Sequence, residues 1–352
     1  MIRLKPIKKQ VIVLTGATSG IGLATAREAA KAGARLVLAA RTEDALRTLV
    51  QEIQDHGGQA TYVAADVGKE EQVRQIARVA IAHFGGFDTW INDAAVSIYG
   101  KLTDISMEDQ RKLFETNLWG VVHGSRVAVE HLRARGGALI NIGSVVSERA
   151  IPLQGIYSAS KHAVKAYTDA LRMELEKEGA PISVTLIKPG SIDTPYTQHA
   201  KNYMDADPDL PPPVYSPALV AKAILYCAEH PKRDFTVGGG GWMLETMEHL
   251  APGATDSYMK RFLFGQQRKQ EQQSRRNPEG NLYKPGADLR ERGDHKGHVS
   301  EKSIYTSASL HPIATSVLAL GTGMLLAATM QARSSSRASD EQAARTAADA
   351  QH

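Results

Sequence analysis

Tyr157 and Lys161 stand four residues apart, and Ser144 lies upstream of both. On a helix, residues four apart share a face, so the phenol and the ammonium would meet. A free tyrosine, with a pKa of about 10, is a poor base at neutral pH. An ammonium beside it stabilises the phenolate, and the pair can then hand a proton to a substrate oxygen and take it back. A Tyr-x-x-x-Lys pair by itself is an ordinary exposed helix face. A serine at the end of the preceding strand gives this pair its chemical meaning.

The elements that hold these residues follow from the hydrophobic pattern. Up to about residue 240, short apolar runs alternate with segments of helical spacing. Strand candidates occupy 11–14, 35–40, 60–65, 89–92, 138–143, 183–187 and 235–237, and helical spacing runs through 43–56, 70–84 and 107–135. Strands that are apolar throughout and alternate with helices imply a parallel sheet covered on both faces. The fold class is therefore α/β, a doubly wound parallel sheet.

The first strand runs into Thr15-Gly16-Ala17-Thr18-Ser19-Gly20-Ile21-Gly22 and then an Ala-rich helix. Glycines there let the backbone turn tightly and approach a pyrophosphate, whose charge sits at the helix N-terminus. At the strand-to-helix junction of a βαβ unit, the pattern predicts dinucleotide binding by Gly16, Thr18, Ser19, Gly20, Ile21 and Gly22. A site that prefers NAD carries an acid at the end of the second strand, on the ribose hydroxyls. Here that position reads Ala39-Ala40-Arg41, with no carboxylate before Glu43. Ala40 leaves room, and the guanidinium fork of Arg41 can pair with a 2′-phosphate. NADP(H) is thus favoured over NAD(H), although Arg41 also reads as a solvated residue at a strand end. Asp66 and Val67, ending the third strand, are placed to border the adenine; Asp66 reads equally as a helix N-cap.

In this order the residues resemble one family, the classical short-chain dehydrogenases/reductases, over about residues 8–245. The resemblance is carried by the glycine turn at 15–22, Asn92-Asp93-Ala94-Ala95, Asn117, Ser144, Tyr157-Ser158-Ala159-Ser160-Lys161 and Pro189-Gly190. It implies a Rossmann-fold oxidoreductase that moves hydride between NADP(H) and a carbonyl or secondary alcohol. In that scheme Tyr157 protonates the developing alkoxide, and Ser144 orients the substrate oxygen. Lys161 also grips the nicotinamide ribose, and Asn117 holds a water that feeds a proton relay to Lys161. Asn92 and Ala94 belong to the stretch beside the cofactor. Pro189, Gly190, Ile192 and Thr194 belong to the segment that meets the nicotinamide carboxamide. Taken singly, Ser144 would cap a turn, Asn117 would bridge helix backbone and 191–195 would make a plain turn. Asp93 departs from the family, which usually has a second asparagine there; the resemblance implies a tolerated change. It also implies a homo-oligomer.

Composition limits the partners. With 42% hydrophobic residues and a net charge of +4 dispersed among acids, the chain can bury a sizeable core and has no basic stripe for nucleic acid. One cysteine, Cys227, allows no intrachain disulfide, and the scattered histidines show no ligand spacing, so no metal site is read. The basic start runs into too short an apolar stretch for a signal peptide, which predicts a cytoplasmic catalytic domain. That domain covers 1–265 and binds NADP(H). Residues 266–308 are polar and poor in large apolar side chains, which predicts a disordered linker. An apolar helix follows at 309–331, then a disordered tail at 332–352. The uncharged run 313–330 would reach about 27 Å as a helix, near the ~30 Å hydrocarbon core. Its small residues allow a membrane anchor or a helix that docks on protein. Tyr and Met residues in 196–215, where the family varies its substrate lid, point to an apolar small-molecule carbonyl or alcohol. Two other functions stay open. One is a dinucleotide-binding regulatory or scaffold protein without turnover, which would typically lack the tyrosine or lysine. The other is an epimerase or lyase on the same fold.

Overall fold

A computed structural model describes residues 2–269, 279–286, 289–311 and 315. Seven strands form its central sheet: β1 (Val11–Thr15), β2 (Arg35–Ala40), β3 (Gln59–Ala64), β4 (Thr89–Asn92), β5 (Gly137–Ile142), β6 (Ile182–Pro189) and β7 (Asp234–Val237). All neighbours run parallel, in the order β7-β6-β5-β4-β1-β2-β3. Every residue of β1 and of β6 is buried, because helices cover both faces and no position of a central strand meets water. The order reverses between β1 and β4, and ligands of open α/β sheets sit outside the carboxyl ends of strands at such a reversal. The register brings Thr15 level with Ala39 and Asn92, and Asn92 level with Asn141. One edge of the sheet therefore carries the glycine turn, Arg41, the 92–95 stretch and Ser144 together.

The helices are α1 (Gly20–Lys31), α2 (Glu43–Asp55), α3 (Glu70–Phe84), α4 (Met107–Phe114), α5 (Gly120–Arg135), α6 (Gly155–Lys177) and α7 (Pro217–Glu229). Helix α1 packs on α7, and α3 on α5. Local signals set their ends. Ser106 caps α4 by accepting from the Asp109 N–H, α3 stops at Gly85 with φ +77°, and α7 opens on Ser216-Pro217. The spacing over 107–135 predicts one helix; the structure instead places a π turn at Glu115–Trp119 between α4 and α5. Such turns recur at functional sites, and this one carries Asn117.

The expectation of a disordered linker does not hold for the described part of 266–308. Leu282 is fully buried beside Val96, Ile98 and Ile105. The strand Val299–Ser300 pairs with Val214–Tyr215, which pairs in turn with Ser191–Ile192. The segment runs as a strap over the cleft, held by backbone groups: Gly20 N–H donates to Arg290 O at 2.9 Å and Asn281 N–H to His199 O at 2.7 Å. Composition misleads here because the strap borrows the apolar surface of a domain already folded. The chain divides into Met1–Thr306 and Ser307–His352. Almost all of the second unit, with the uncharged run 313–330 and the tail 332–352, lies outside the described residues. Among the described residues no helix is long and apolar enough to cross a membrane.

Candidate active site

The glycine turn is built for close approach. Gly16 adopts φ +76°, and a Cβ on it would meet the Ala94 backbone nitrogen at 2.8 Å. A Cβ on Gly22 would sit 2.2 Å from Gly16 O, so any side chain at either position forces the turn apart. Helix α1 starts at Gly20 beside the cleft without a side-chain cap; the strap carbonyl Arg290 O takes the Gly20 N–H, and the Gly22 N–H meets the Asp93 carboxyl. Gly16, Thr18, Ser19, Gly20 and Ile21 line that cleft, as do Arg41, Asp66, Val67, Ala94 and Thr194. These residues fit a dinucleotide: a narrow backbone cradle at a helix N-terminus, with a cation at the far end.

Five expected cofactor residues lie behind the wall or beyond it. Gly22 packs beneath the turn. Asn92 is buried and ties strands together, accepting from Trp90 Nε1 and donating to Asn141 Oδ1, both at 2.8 Å. Pro189, Gly190 and Ile192 line a neighbouring cavity instead. Asp66 lines the cleft, and its carboxylate accepts from Gly68 N–H at 3.0 Å in the turn before α3; it is not the helix N-cap, a position that falls to Lys69. At the far end, Arg41 donates to the carbonyl oxygens of Asn281 (2.6 Å) and Leu282 (3.3 Å). Burial there holds its pKa below the ordinary arginine value, against the pull of Asp66.

The neighbouring cavity, of about 320 Å³, is lined chiefly by apolar groups such as Val146, Ile151, Leu210, Met243 and Leu263. That volume lies in the range of small-ligand sites, about 300–1,000 Å³. Ser144 stands on its wall at the end of β5. Its hydroxyl accepts from Val146 N–H at 3.2 Å and so also caps the following turn. Ile21, Tyr157, Thr194 and Tyr196 line both the cleft and the cavity. Tyr157 thus sits where the two meet, and Lys161, one turn along α6, reaches back under it. The Lys161 Nζ lies 5.7 Å from the Tyr157 ring centroid and donates to Ile142 O at 2.7 Å.

Burial governs the charges. It pushes Tyr157 up to about 12, while the Tyr196 and Ser144 hydroxyls pull the other way. It pushes Lys161 down to about 8, with Asp93 opposing. It raises the Asp93 carboxyl to about 7, against the Lys161 charge and the Gly22 N–H. The departure at Asp93 thus puts a titrating group beneath the glycine turn. Asn117 differs from expectation: its Oδ1 accepts from Val96 N–H at 2.8 Å, and its Nδ2 donates to Val96 O and Ser160 Oγ. The amide pins the π turn to the loop after β4, so a water-holding part does not fall to its side chain.

The strap residues Asn281, Pro285 and Gly286 on the cleft, and Tyr99, Gln154 and Tyr196 on the cavity, were beyond the sequence reading. Tyr196 alone carried a signal, two residues after Thr194 at the start of the 196–215 segment. Its hydroxyl accepts from Ser97 Oγ and donates to Gln154 Oε1, both at 2.7 Å.

Residues 10–205 match the family described as short chain dehydrogenase. The chain is 47% identical over 323 residues to the uncharacterized oxidoreductase YxnA of Bacillus subtilis (strain 168), covering 91% of this chain and 90% of the relative. It is 37% identical over 228 residues to 11-beta-hydroxysteroid dehydrogenase A of Arachis hypogaea, covering 62% and 64%. Among solved structures, a short chain dehydrogenase/reductase from Burkholderia phymatum in complex with NAD matches with TM-score 0.64 at 26% identity, over 72% of this chain and 96% of that one. An alcohol dehydrogenase from the archaeon Thermococcus sibiricus complexed with 5-hydroxy-NADP matches with TM-score 0.57 at 28% identity, over 65% and 94%. Fold, turn and sequence agree, and the chain belongs to the short-chain dehydrogenase/reductase family of oxidoreductases.

Proposed function

We propose that the chain reduces an apolar carbonyl compound, or oxidises the matching secondary alcohol, with NADP(H) as cofactor and Tyr157 as proton donor and acceptor. The observation that carries this reading is Tyr157 on the wall common to the dinucleotide cleft and the apolar cavity. A bound nicotinamide would supply or take the hydride. The glycine turn holds the pyrophosphate, and Lys161 reaches the adjoining ribose. Ser144 hydrogen-bonds the substrate oxygen and orients it toward Tyr157. In reduction, Tyr157 gives its proton to that oxygen as negative charge builds there; in oxidation, its phenolate takes the proton back. The Ser144 and Tyr196 hydroxyls favour the charged phenol against its burial, and the Lys161 Nζ stands 5.7 Å from the ring centroid.

The preference for NADP(H) rests on Arg41 at the cleft's far end and on the absence of a carboxylate at Ala39 or Ala40. Steady-state oxidation of NADPH and NADH, measured over a panel of ketones and aldehydes, tests the reading. Turnover that prefers NADPH is expected. Tight NADPH binding with no turnover on any carbonyl would instead leave a dinucleotide-binding protein.

A further inference from the structure

Tyr99 ends the short strand Ile98–Tyr99, which pairs with Lys201–Asn202 under the cavity. Its side chain is fully buried and lines the cavity, yet its hydroxyl is one of few buried polar atoms without a hydrogen-bond partner among the described residues. The packing around it explains why. Leu153, Ala200 and Met204 surround the ring and offer no acceptor side chain. The nearby polar groups have partners of their own, including the Asp209 carboxylate, which accepts from Leu210 N–H at 2.8 Å and disfavours the charged Tyr99 phenol. Tyr196 exchanges hydrogen bonds with Ser97 and Gln154, and Gln154 Nε2 donates to Gln267 Oε1 at 2.7 Å. The Tyr99 ring stands edge-on to Tyr196 at 6.1 Å, and Tyr196 stands edge-on to Tyr157 at 5.4 Å, so the orphan hydroxyl belongs to the same wall as the reacting group.

A buried hydroxyl without a partner is costly, and phenylalanine would fill the same space without that cost. An unpaired donor on a cavity wall is what a site reading a ligand oxygen presents before the ligand arrives. We propose that the Tyr99 hydroxyl donates to a second oxygen of the substrate, making Tyr99 a specificity-determining residue for apolar ketones or alcohols that carry an additional carbonyl or hydroxyl. This rests on the oxidoreductase reading above and narrows its substrate class. The reacting oxygen goes to Tyr157 and Ser144, and the second oxygen goes to Tyr99. The hydroxyl is closed off from solvent while the cavity is empty, so the ligand oxygen reaches it through a small shift of the ring or of Tyr196 beside it.

The test compares kcat/KM for the 1,2-, 1,3- and 1,4-cyclohexanediones with that for cyclohexanone, using full-length chain and NADPH. The wild-type chain is expected to prefer at least one dione. Tyr99→Phe is expected to cut that preference about tenfold, the scale at which a site built to hydrogen-bond an oxygen rejects its loss. A second measurement guards against a folding effect. Since Tyr99→Phe removes an unpaired buried hydroxyl, its Tm should equal or exceed that of the wild type. An unchanged dione preference in Tyr99→Phe overturns the proposal while the oxidoreductase reading stands. A lowered Tm overturns it too, because the hydroxyl would then have a partner in the protein. Failure of every ketone to turn over overturns the oxidoreductase reading, and this proposal with it.

Discussion

Arg41, at the end of β2, donates to the carbonyl oxygen of Asn281 at 2.6 Å, a contact that bridges 240 residues of sequence. The strap thus holds the guanidinium that the proposed function assigns to the 2′-phosphate. A planar fork with five donors can serve two strap carbonyls and still present N–H groups to a phosphate. Arg41→Ala is expected to weaken NADPH binding by about 1.5–3 kcal/mol, the range for hydrogen bonds to a charged group, and NADH binding by much less. Fluorescence titration with both cofactors checks this. Equal losses for the two would mean that Arg41 serves the strap and does not read the phosphate.

The strap also changes where the chain can be cut. Ending it near residue 266, after the last motif of the family, looks harmless from sequence. The structure predicts otherwise: Gln267 and Leu282 are fully buried, and Leu282 shares a cluster with Tyr157, Met259 and Leu263. Losing Leu282 alone removes about 2 kcal/mol of apolar burial. A chain ending at 266 should therefore melt well below the full-length protein and bind NADPH more weakly. Thermal denaturation of the two chains decides the point, and equal melting temperatures would contradict it.

Asp93 gives the fold a pH dependence of known sign. Its folded pKa, raised from 3.8 to about 7, means the folded state holds a proton that the unfolded chain has released. The stability this contributes is complete below about pH 4 and is lost as pH rises toward 7, with a slope of at most about 1.4 kcal/mol per pH unit. The depressed pKa of Lys161, about 8, acts above this window. Asp93→Asn should remove the slope, so the variant gains on the wild type between pH 4 and 7. Urea denaturation across that range measures it; parallel profiles would show that Asp93 does not titrate there.

Sequence carried the sheet and most of the site because both rest on local signals. Apolar runs mark central strands, glycines at 16, 20 and 22 mark a backbone that must come close, and Tyr157 and Lys161 declare their shared helix face. The misses are long-range. The strap is invisible to composition, since its few apolar residues suffice only because a folded surface waits for them. Asn117 reads as helical, but the π turn around it follows from a bond to Val96 across the loop after β4. Tyr99 carries no signal at all, because an unpaired hydroxyl is a property of its surroundings.

The central claim is that Tyr157 moves the proton. Tyr157→Phe keeps the ring that packs at the junction and removes only the hydroxyl, so it should fold and bind NADPH as the wild type does. With a ketone that the wild type reduces, NADPH oxidation by Tyr157→Phe should fall at least about a hundredfold in kcat, the scale of general acid–base catalysis. Wild-type turnover by the variant, with cofactor binding intact, would contradict the account.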